Sequence, residues 1–177
     1  GSFQLIAFTP ASVWLCAGLL IAVGAVVGWR ARRELLAFVR QRFVALIVAE
    51  EIFLLAWLSF LLIRALNPDL WHPARGGEKP MDLAFLTAVL KSDAFPAYDP
   101  WFAGGYINYY YLGFVLVATL SHLTGLVPSV AYNLAVPMFF AMTALGGFTA
   151  AFNFVEGGWS KNGTGSIGWF REERAAI

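Results

Sequence analysis

Four long runs of apolar residues divide the chain into blocks. They cover about 5–29, 43–66, 109–126 and 130–154. A helix rises 1.5 Å per residue, so about 20 residues cross a hydrocarbon layer of ~30 Å. The pattern therefore predicts an all-α membrane protein, with about four transmembrane helices in a single membrane domain over 1–177.

The composition favours the same class and excludes others. Of 177 residues, 59% are hydrophobic and 13% are charged, a balance that a soluble globular domain does not have. The net charge is +1, and basic and aromatic residues do not alternate, so membrane lipids and not nucleic acid are the expected partners. The single cysteine, Cys16, can form neither a disulfide within the chain nor a Cys-x-x-Cys site.

A cluster of arginines follows the first apolar run and predicts the orientation of the chain. Its members are Arg30, Arg32, Arg33, Arg40 and Arg42. Basic residues concentrate in cytoplasmic connections, so we expect this connection to lie in the cytoplasm. The N-terminus and the loop 67–108 then lie outside, the third span descends, the fourth climbs, and the tail from Glu156 is outside.

Two carboxylates lie inside the second apolar run. Glu50 and Glu51 come about two helical turns after Phe43, where a charge costs roughly 2.5–3.5 kcal/mol unless it is neutral, paired or wet. One hypothesis is that they sit near the interface and pair with Arg40 or Arg42. The other is that they line a polar cavity.

The loop 67–108 contains a predicted helix. Pro80 suits a first helical turn, and Asp82 complements the positive end of a helix dipole. Apolar residues recur at helical spacing: Met81, Phe85, Ala88 and Val89. We expect a helix that begins near Pro80, ends before Pro96 and lies parallel to the membrane surface.

The same loop carries the candidate chemistry. Its acids are Asp69, Glu78, Asp82 and Asp99, and its basic residues are His72, Arg75 and Lys79. Carboxylates at a partly dehydrated interface suit a general base or a divalent cation, and the aromatic residues suit a sugar ring or a lipid head group. The structural alternative is that Asp82 only caps a helix, Asp99 starts a turn, and the tyrosines form an interfacial belt.

Three segments resemble the signature of the YYY family of prokaryotic membrane proteins. They are Gly76-Gly-Glu-Lys-Pro-Met-Asp82, Tyr98-Asp-Pro-Trp-Phe-Ala-Gly-Gly-Tyr-Ile-Asn-Tyr-Tyr-Tyr111 and Ala131-Tyr-Asn-Leu. Members of that family are several times longer than this chain. The resemblance implies an N-terminal part of a protein of the prokaryotic cytoplasmic membrane.

The YYY family is grouped with the GT-C glycosyltransferases, which use lipid-linked sugars and have a large first outer loop. One GT-C branch places an arginine before an acidic pair and an aspartate before a proline-bearing turn. Arg64, Glu78 with Asp82, and Asp99 follow a similar order, although Glu78 and Asp82 are four residues apart where that branch has adjacent acids.

The resemblance implies a glycosyltransferase that takes a sugar from a polyprenyl-phosphate donor at the outer face. Asp82, then Glu78, are the candidate bases, and Asp99 is expected to orient the acceptor or a divalent cation. The residues assigned to substrate binding are Arg64, Arg75, Lys79, Trp101, Tyr109, Tyr110 and Tyr111. Two alternatives stay open: an accessory subunit of a larger membrane complex, and a transporter that uses Glu50 and Glu51.

Overall fold

The computed structural model describes residues 7–71, 77–108 and 111–161, the last six of these as helical backbone. These residues form helices and no strand. The helices are α1 Pro10–Arg30, α2 Arg32–Gln41, α3 Phe43–Leu66, α4 Lys79–Lys91, α5 Leu112–Thr124 and α6 Pro128–Lys161. The all-α prediction is confirmed.

Three helices are long and apolar enough to cross a membrane: Pro10–Arg30, Phe43–Leu66 and Pro128–Val155. The span predicted over 109–126 is instead the 13-residue helix α5. At 1.5 Å per residue α5 is ~20 Å long, which is shorter than the hydrocarbon layer. The predicted count of four spans therefore becomes three long helices and one short apolar helix.

Helix α5 is shorter than the predicted span because specific residues set its two ends. Tyr111 precedes α5, and Gly125 follows it with a φ of 72°, a left-handed conformation that favours glycine at a helix C-terminus. The Gly125 amide donates to the Ser121 carbonyl at 2.8 Å and closes the last turn. The apolar run continues beyond Gly125 in sequence, but the helix does not.

The chain divides into two compact units, residues 1–29 with 63–136 and residues 30–62 with 137–177. The first unit holds α1, α4, α5, the end of α3 and the start of α6. Its core contains Phe85, Leu86, Val89, Ala97, Ile107, Val117, Ala118, Ala131 and Ala135. This core is built from α4, α5, the first turns of α6 and the segment between α4 and α5 that holds Ala97 and Ile107, so the predicted outer loop is a packed layer.

The predicted loop helix is confirmed as α4. It begins at Lys79 with Pro80 in its first turn, and the cap after it is Ser92. Pro80 is tolerated because the first amide groups of a helix have no partners within it. Phe85, Leu86 and Val89 are buried in the core of the first unit. That α4 lies parallel to the membrane stays a prediction.

The entrance to α1 packs against the end of this layer. The Phe8 amide donates to the Asp93 carbonyl at 2.7 Å. The Phe8 ring lies 4.9 Å from the His122 ring and 5.0 Å from the Phe95 ring, measured between centroids. The start of α1 and the segment after α4 therefore lie together, as expected if both are on one side of the membrane; which side stays a prediction.

The second unit holds α2, most of α3 and most of α6. Phe60 of α3 and Phe140 of α6 pack with ring centroids 4.9 Å apart. Arg64, at the end of α3, is the buried residue of this helix, and its apolar residues are exposed or partly exposed. Apolar side chains exposed along this helix are the expected surface for a protein whose solvent is the bilayer.

Candidate functional site

Asp82 and Tyr132 form a hydrogen-bonded pair in the first unit. Asp82 is in the first turn of α4, and its amide donates to the Glu78 carbonyl at 3.0 Å. The Tyr132 hydroxyl, on the second turn of α6, donates to Asp82 Oδ2 at 3.0 Å. Asp82, one of the predicted loop acids, is thus held by α6, which begins 46 residues later in the chain.

The pKa of Asp82 is raised above its ordinary value of 3.8. Partial burial is the main cause, because a low-dielectric environment disfavours the carboxylate. The hydrogen bond from Tyr132 acts in the opposite direction, and the negative charge of Glu78 adds to the rise. A carboxyl group with a raised pKa is a better proton acceptor than an ordinary aspartate once it is ionised.

Arg64 supplies a cation next to this pair. It is the buried arginine at the end of α3, and its Nε donates to Asn133 Oδ1 at 3.0 Å. Its Nη2 also donates to Asn133 Oδ1. The Arg64 guanidinium and the Asp82 carboxylate both act electrostatically on the Tyr132 hydroxyl. Opposite charges therefore flank Tyr132 in one part of the first unit.

Asn133 fixes this arrangement. Its Nδ2 donates to the Pro68 carbonyl and to the Ser129 carbonyl, each at 3.1 Å. With Oδ1 accepting from Arg64, all of the amide's polar atoms are used. The side chain thus ties the end of α3, the start of the loop and the first turns of α6 together.

A cleft of 460 Å³ opens beside Asn133. It is lined by Pro68, Asp69, Leu70, Trp71, Leu83, Ser129, Val130 and Asn133. Leu83 and Asn133, which line the cleft, follow Asp82 and Tyr132 directly in sequence, but Asp82 and Tyr132 themselves are not among its lining residues. Its walls are mainly apolar and its polar groups are few, which is the usual composition of a site for a small molecule or a lipid head group.

Two further predicted site residues lie at the start of α4. Glu78 occupies the position before the helix and makes no side-chain capping bond. Its carboxylate is close enough to Asp82 to raise the pKa of that group. The Lys79 Nζ donates to the Asp69 carbonyl at 3.4 Å, which holds its charge beside the cleft. Glu78, Lys79 and Asp82 are thus brought together.

Asp99 and Trp101 lie in a different part of the first unit. Asp99 Oδ1 accepts the Trp101 amide at 2.8 Å, the pattern of an Asx turn. The turn is closed by an isolated bridge between Tyr98 and Tyr106, whose rings stack at 4.9 Å. No contact recorded in the described ranges joins Asp99 to Asp82 or Glu78. The observed bond of Asp99 is the one expected if this residue starts a turn.

Of the remaining predicted site residues, one lies in the packed layer and three lie outside the described residues. Tyr111 stacks on Phe95 with 6.3 Å between ring centroids, which places it in the packed layer. Arg75, Tyr109 and Tyr110 lie outside the described residues. Within the described ranges, no group of three or more His, Cys, Asp or Glu side chains is arranged to hold a metal ion. The identity of any metal stays open.

Sequence reasoning did not identify Tyr132 and Asn133 as site residues. Both belong to the segment Ala131-Tyr-Asn-Leu, which follows the start of α6 and resembles part of the YYY signature. A polar pair at the start of an apolar helix could have signalled a role. Its partners, Asp82 and Arg64, are 50 and 69 residues away in the chain.

The comparisons with known proteins identify a family but no activity. The family model described as uncharacterized membrane protein, DUF2298, matches residues 1–171. The chain belongs to this family. Comparison with curated proteins and with solved structures gave no match.

Proposed function

We propose that this member of the DUF2298 family contributes the base and donor-binding part of a GT-C-like glycosyltransferase. In the proposed reaction, Asp82 accepts the proton of an acceptor hydroxyl as that oxygen bonds to the anomeric carbon of the sugar. The bond from that carbon to the phosphate oxygen breaks, and polyprenyl phosphate leaves with the electron pair. The observation that carries the proposal is the hydrogen-bonded Asp82–Tyr132 pair, whose sequence neighbours Leu83 and Asn133 line a cleft.

The state of Asp82 supports a role as base. Its pKa is raised mainly by burial, so the ionised carboxylate binds a proton more strongly than that of an ordinary aspartate. Tyr132 donates to Oδ2 at 3.0 Å and fixes the orientation of the carboxyl group. The reaction needs this orientation because a base must lie within hydrogen-bonding reach of the proton it removes.

The neighbouring cations support a phosphate-bearing donor. Arg64 is held in one orientation by two bonds to Asn133, and Lys79 lies beside the Asp69 carbonyl. Positive groups fixed before the reaction stabilise the charge that develops on a leaving phosphate. Apolar lining such as Leu70 and the exposed Trp71 suits the start of a lipid chain or a sugar face.

The resemblance to the YYY and GT-C families supports the same reading. The acids lie on a helix in the packed segment between two candidate membrane spans, as the first outer loop of GT-C enzymes would have them. The four-residue spacing of Glu78 and Asp82 puts both at the start of α4, about one turn apart. Two nearby carboxyl groups with different surroundings are the usual arrangement for one base and one supporting acid.

The experiment compares Asp82→Asn with Asp93→Asn in the intact protein. Both variants replace one carboxylate by an amide, but Asp93 lies just beyond the other end of α4 and its recorded bond is through the backbone. Membranes would be supplied with radiolabelled polyprenyl-phosphate mannose or glucose, and transfer to endogenous acceptors measured. We expect Asp82→Asn to lower transfer by about 10²-fold or more and Asp93→Asn to leave it within about twofold.

Unchanged transfer in Asp82→Asn, in Glu78→Gln and in the double variant would contradict the base assignment. Equal elution profiles on size exclusion would show that the variants fold alike. If wild-type membranes transfer neither sugar to any acceptor, the proposed donor class is wrong.

A second candidate function is an accessory subunit of a larger membrane complex. The observation that favours it is the aromatic surface of the turn after Asp99, where Trp101 is 59% exposed and Phe102 is 68% exposed. Clustered exposed aromatic side chains are typical of a protein interface. A photoreactive amino acid at Phe102 should then give one discrete protein adduct, and the same residue at exposed Lys91 should not. No discrete adduct at Phe102 would contradict this function.

A further inference from the structure

The basic connection between the first two candidate spans is a short amphipathic helix. Helix α2, Arg32–Gln41, follows α1 after a single residue and precedes α3 after a single residue. Both neighbours are long and apolar enough to cross a membrane. A ten-residue helix joined so closely to two spans must stay within a few ångströms of the membrane surface.

One face of α2 is apolar and exposed. Leu35, Leu36, Phe38 and Val39 lie within an arc of about 160° at 100° per residue and are 49%, 57%, 54% and 44% exposed. Arg32, in the first turn, is the charged residue within this arc. Glu34 and Gln41 lie on the polar face, about 120° and 140° from the centre of the apolar arc at 100° per residue. No residue of α2 is buried by the described part of the chain. A helix with this pattern lies in the interface with its apolar face toward the acyl chains.

Two arginines lie side by side along the flank of the apolar face. Arg33 and Arg40 are seven residues apart, so they differ by only about 20° around the helix and by ~10.5 Å along it. Leu36 lies between them along the axis, about 60° from Arg33 and 40° from Arg40 around the helix. Both arginines are exposed. Their guanidinium groups are therefore at the depth of the lipid head groups when Leu36 contacts the acyl region.

We propose that α2 is a binding site for anionic phospholipid, with Arg33 and Arg40 as the residues that contact phosphate. A guanidinium group matches the geometry of phosphate oxygens and can donate two parallel bonds to them. The one acidic residue of the helix, Glu34, faces away from this flank. The occupant is lipid because the tether to two spans keeps the apolar face at the bilayer surface, where head groups and acyl chains are the available partners.

The experiment measures lipid binding to the purified full chain by native mass spectrometry. Phosphatidylglycerol and phosphatidylcholine are titrated separately into detergent-solubilised protein. We expect phosphatidylglycerol to bind preferentially. A basic residue near an anionic lipid contributes enough for about a fivefold change in affinity, so Arg40→Gln should weaken phosphatidylglycerol binding about fivefold and Arg33→Gln with Arg40→Gln about thirtyfold.

The controls separate this site from general charge. Lys91→Gln removes one positive charge outside α2 and should change binding less than about twofold. Arg33→Lys with Arg40→Lys preserves the charges and should retain most of the preference, and it provides a folded reference if the glutamine variant aggregates.

Equal affinity of the wild type for the two lipids would overturn the proposal. So would a glutamine double variant that binds phosphatidylglycerol like the wild type, or a loss as large in Lys91→Gln as in Arg40→Gln. Loss of a co-purified protein without loss of lipid would identify a protein interface instead.

Discussion

The two units of the chain differ in how they accommodate charged side chains. In the first unit, Asp82 accepts a bond from Tyr132 and buried Arg64 donates to Asn133. In the second unit, Glu50 and Glu51 are exposed on α3, and no ion pair to them is recorded in the described ranges. The position of a charged residue on a helix does not by itself make a polar site. Asp82 and Arg64 form one because residues from a distant segment of the chain bond to them.

This difference bears on the two hypotheses for the acids of α3. A carboxylate at membrane depth costs roughly 2.5–3.5 kcal/mol unless it is neutral, paired or wet. Both carboxylates are exposed in the described part of the chain, which fits either a position near the interface or a polar lining. Both hypotheses therefore stay open, whereas the contacts of Asp82 and Arg64 are specific.

The largest expected effect concerns the side of the membrane on which α6 ends. With three crossings, the end of α6 and the arginine connection lie on the same side; with the four originally predicted from the sequence, they lie on opposite sides. Cysteine labelling on a Cys16→Ser background should therefore give Ser160→Cys the same sidedness as Gln41→Cys. Sidedness like that of Asp93→Cys would show that α5 crosses the membrane.

A second prediction concerns the buried cation of the first unit. Arg64→Ala removes two donors to Asn133 Oδ1 and leaves that oxygen short of partners. Hydrogen bonds to charged groups contribute about 1.5–3 kcal/mol, so the unfolding free energy should fall by about that amount. Arg30→Ala, at the exposed end of α1, is the matched control and should change it by less than about 0.5 kcal/mol. Similar losses in both variants would remove the contrast between partnered and exposed charges.

The smallest expected effect is a pH dependence of stability. Because the pKa of Asp82 is raised in the folded state, the folded protein holds its proton to higher pH than the unfolded chain does. This contribution is fully present below the ordinary value of 3.8 and is lost as pH rises through the raised folded pKa. The stability of Asp82→Asn, measured by thermal unfolding over a series of pH values, should not show that decline.

Tyr132→Phe sharpens the same comparison. The bond from Tyr132 lowers the pKa of Asp82, so its removal should raise that pKa further and extend the decline of stability to higher pH. Tyr98→Phe, in the exposed aromatic turn, should leave the profile unchanged. Identical profiles for the wild type and both phenylalanine variants would show that Tyr132 does not set the protonation of Asp82.

Local signals predicted the parts of the fold that depend on neighbouring residues. Pro80 and the apolar spacing after it identified α4 within one residue of its start. The length of α5 was overestimated because the apolar run includes tyrosines before the helix and residues beyond Gly125. The basic connection was recognised by charge, but its helical form was not predicted.

Contacts across long separations could not be predicted in this way. Asp82 was selected because its loop is acidic and aromatic, yet its bond to Tyr132 depends on how α4 packs against α6. The described contacts show Asp99 Oδ1 accepting the Trp101 amide in its own turn, and the expected convergence of Asp99 with Asp82 stays a prediction. A carboxylate in a local turn keeps its second oxygen, and sequence alone does not show whether that oxygen serves a distant site.

The most direct test is photolabelling of the intact protein with a polyprenyl-phosphate probe that carries a diazirine next to the phosphate. If the cleft lined by Leu83 and Asn133 binds the donor, labelled peptides should contain residues 67–71 or 129–133, and unlabelled polyprenyl phosphate should compete. Asp82→Asn should label like the wild type, because the base acts on the acceptor and not on binding. Labelling that does not saturate, or that falls on α2 and spares both segments of the cleft, would contradict the proposed site.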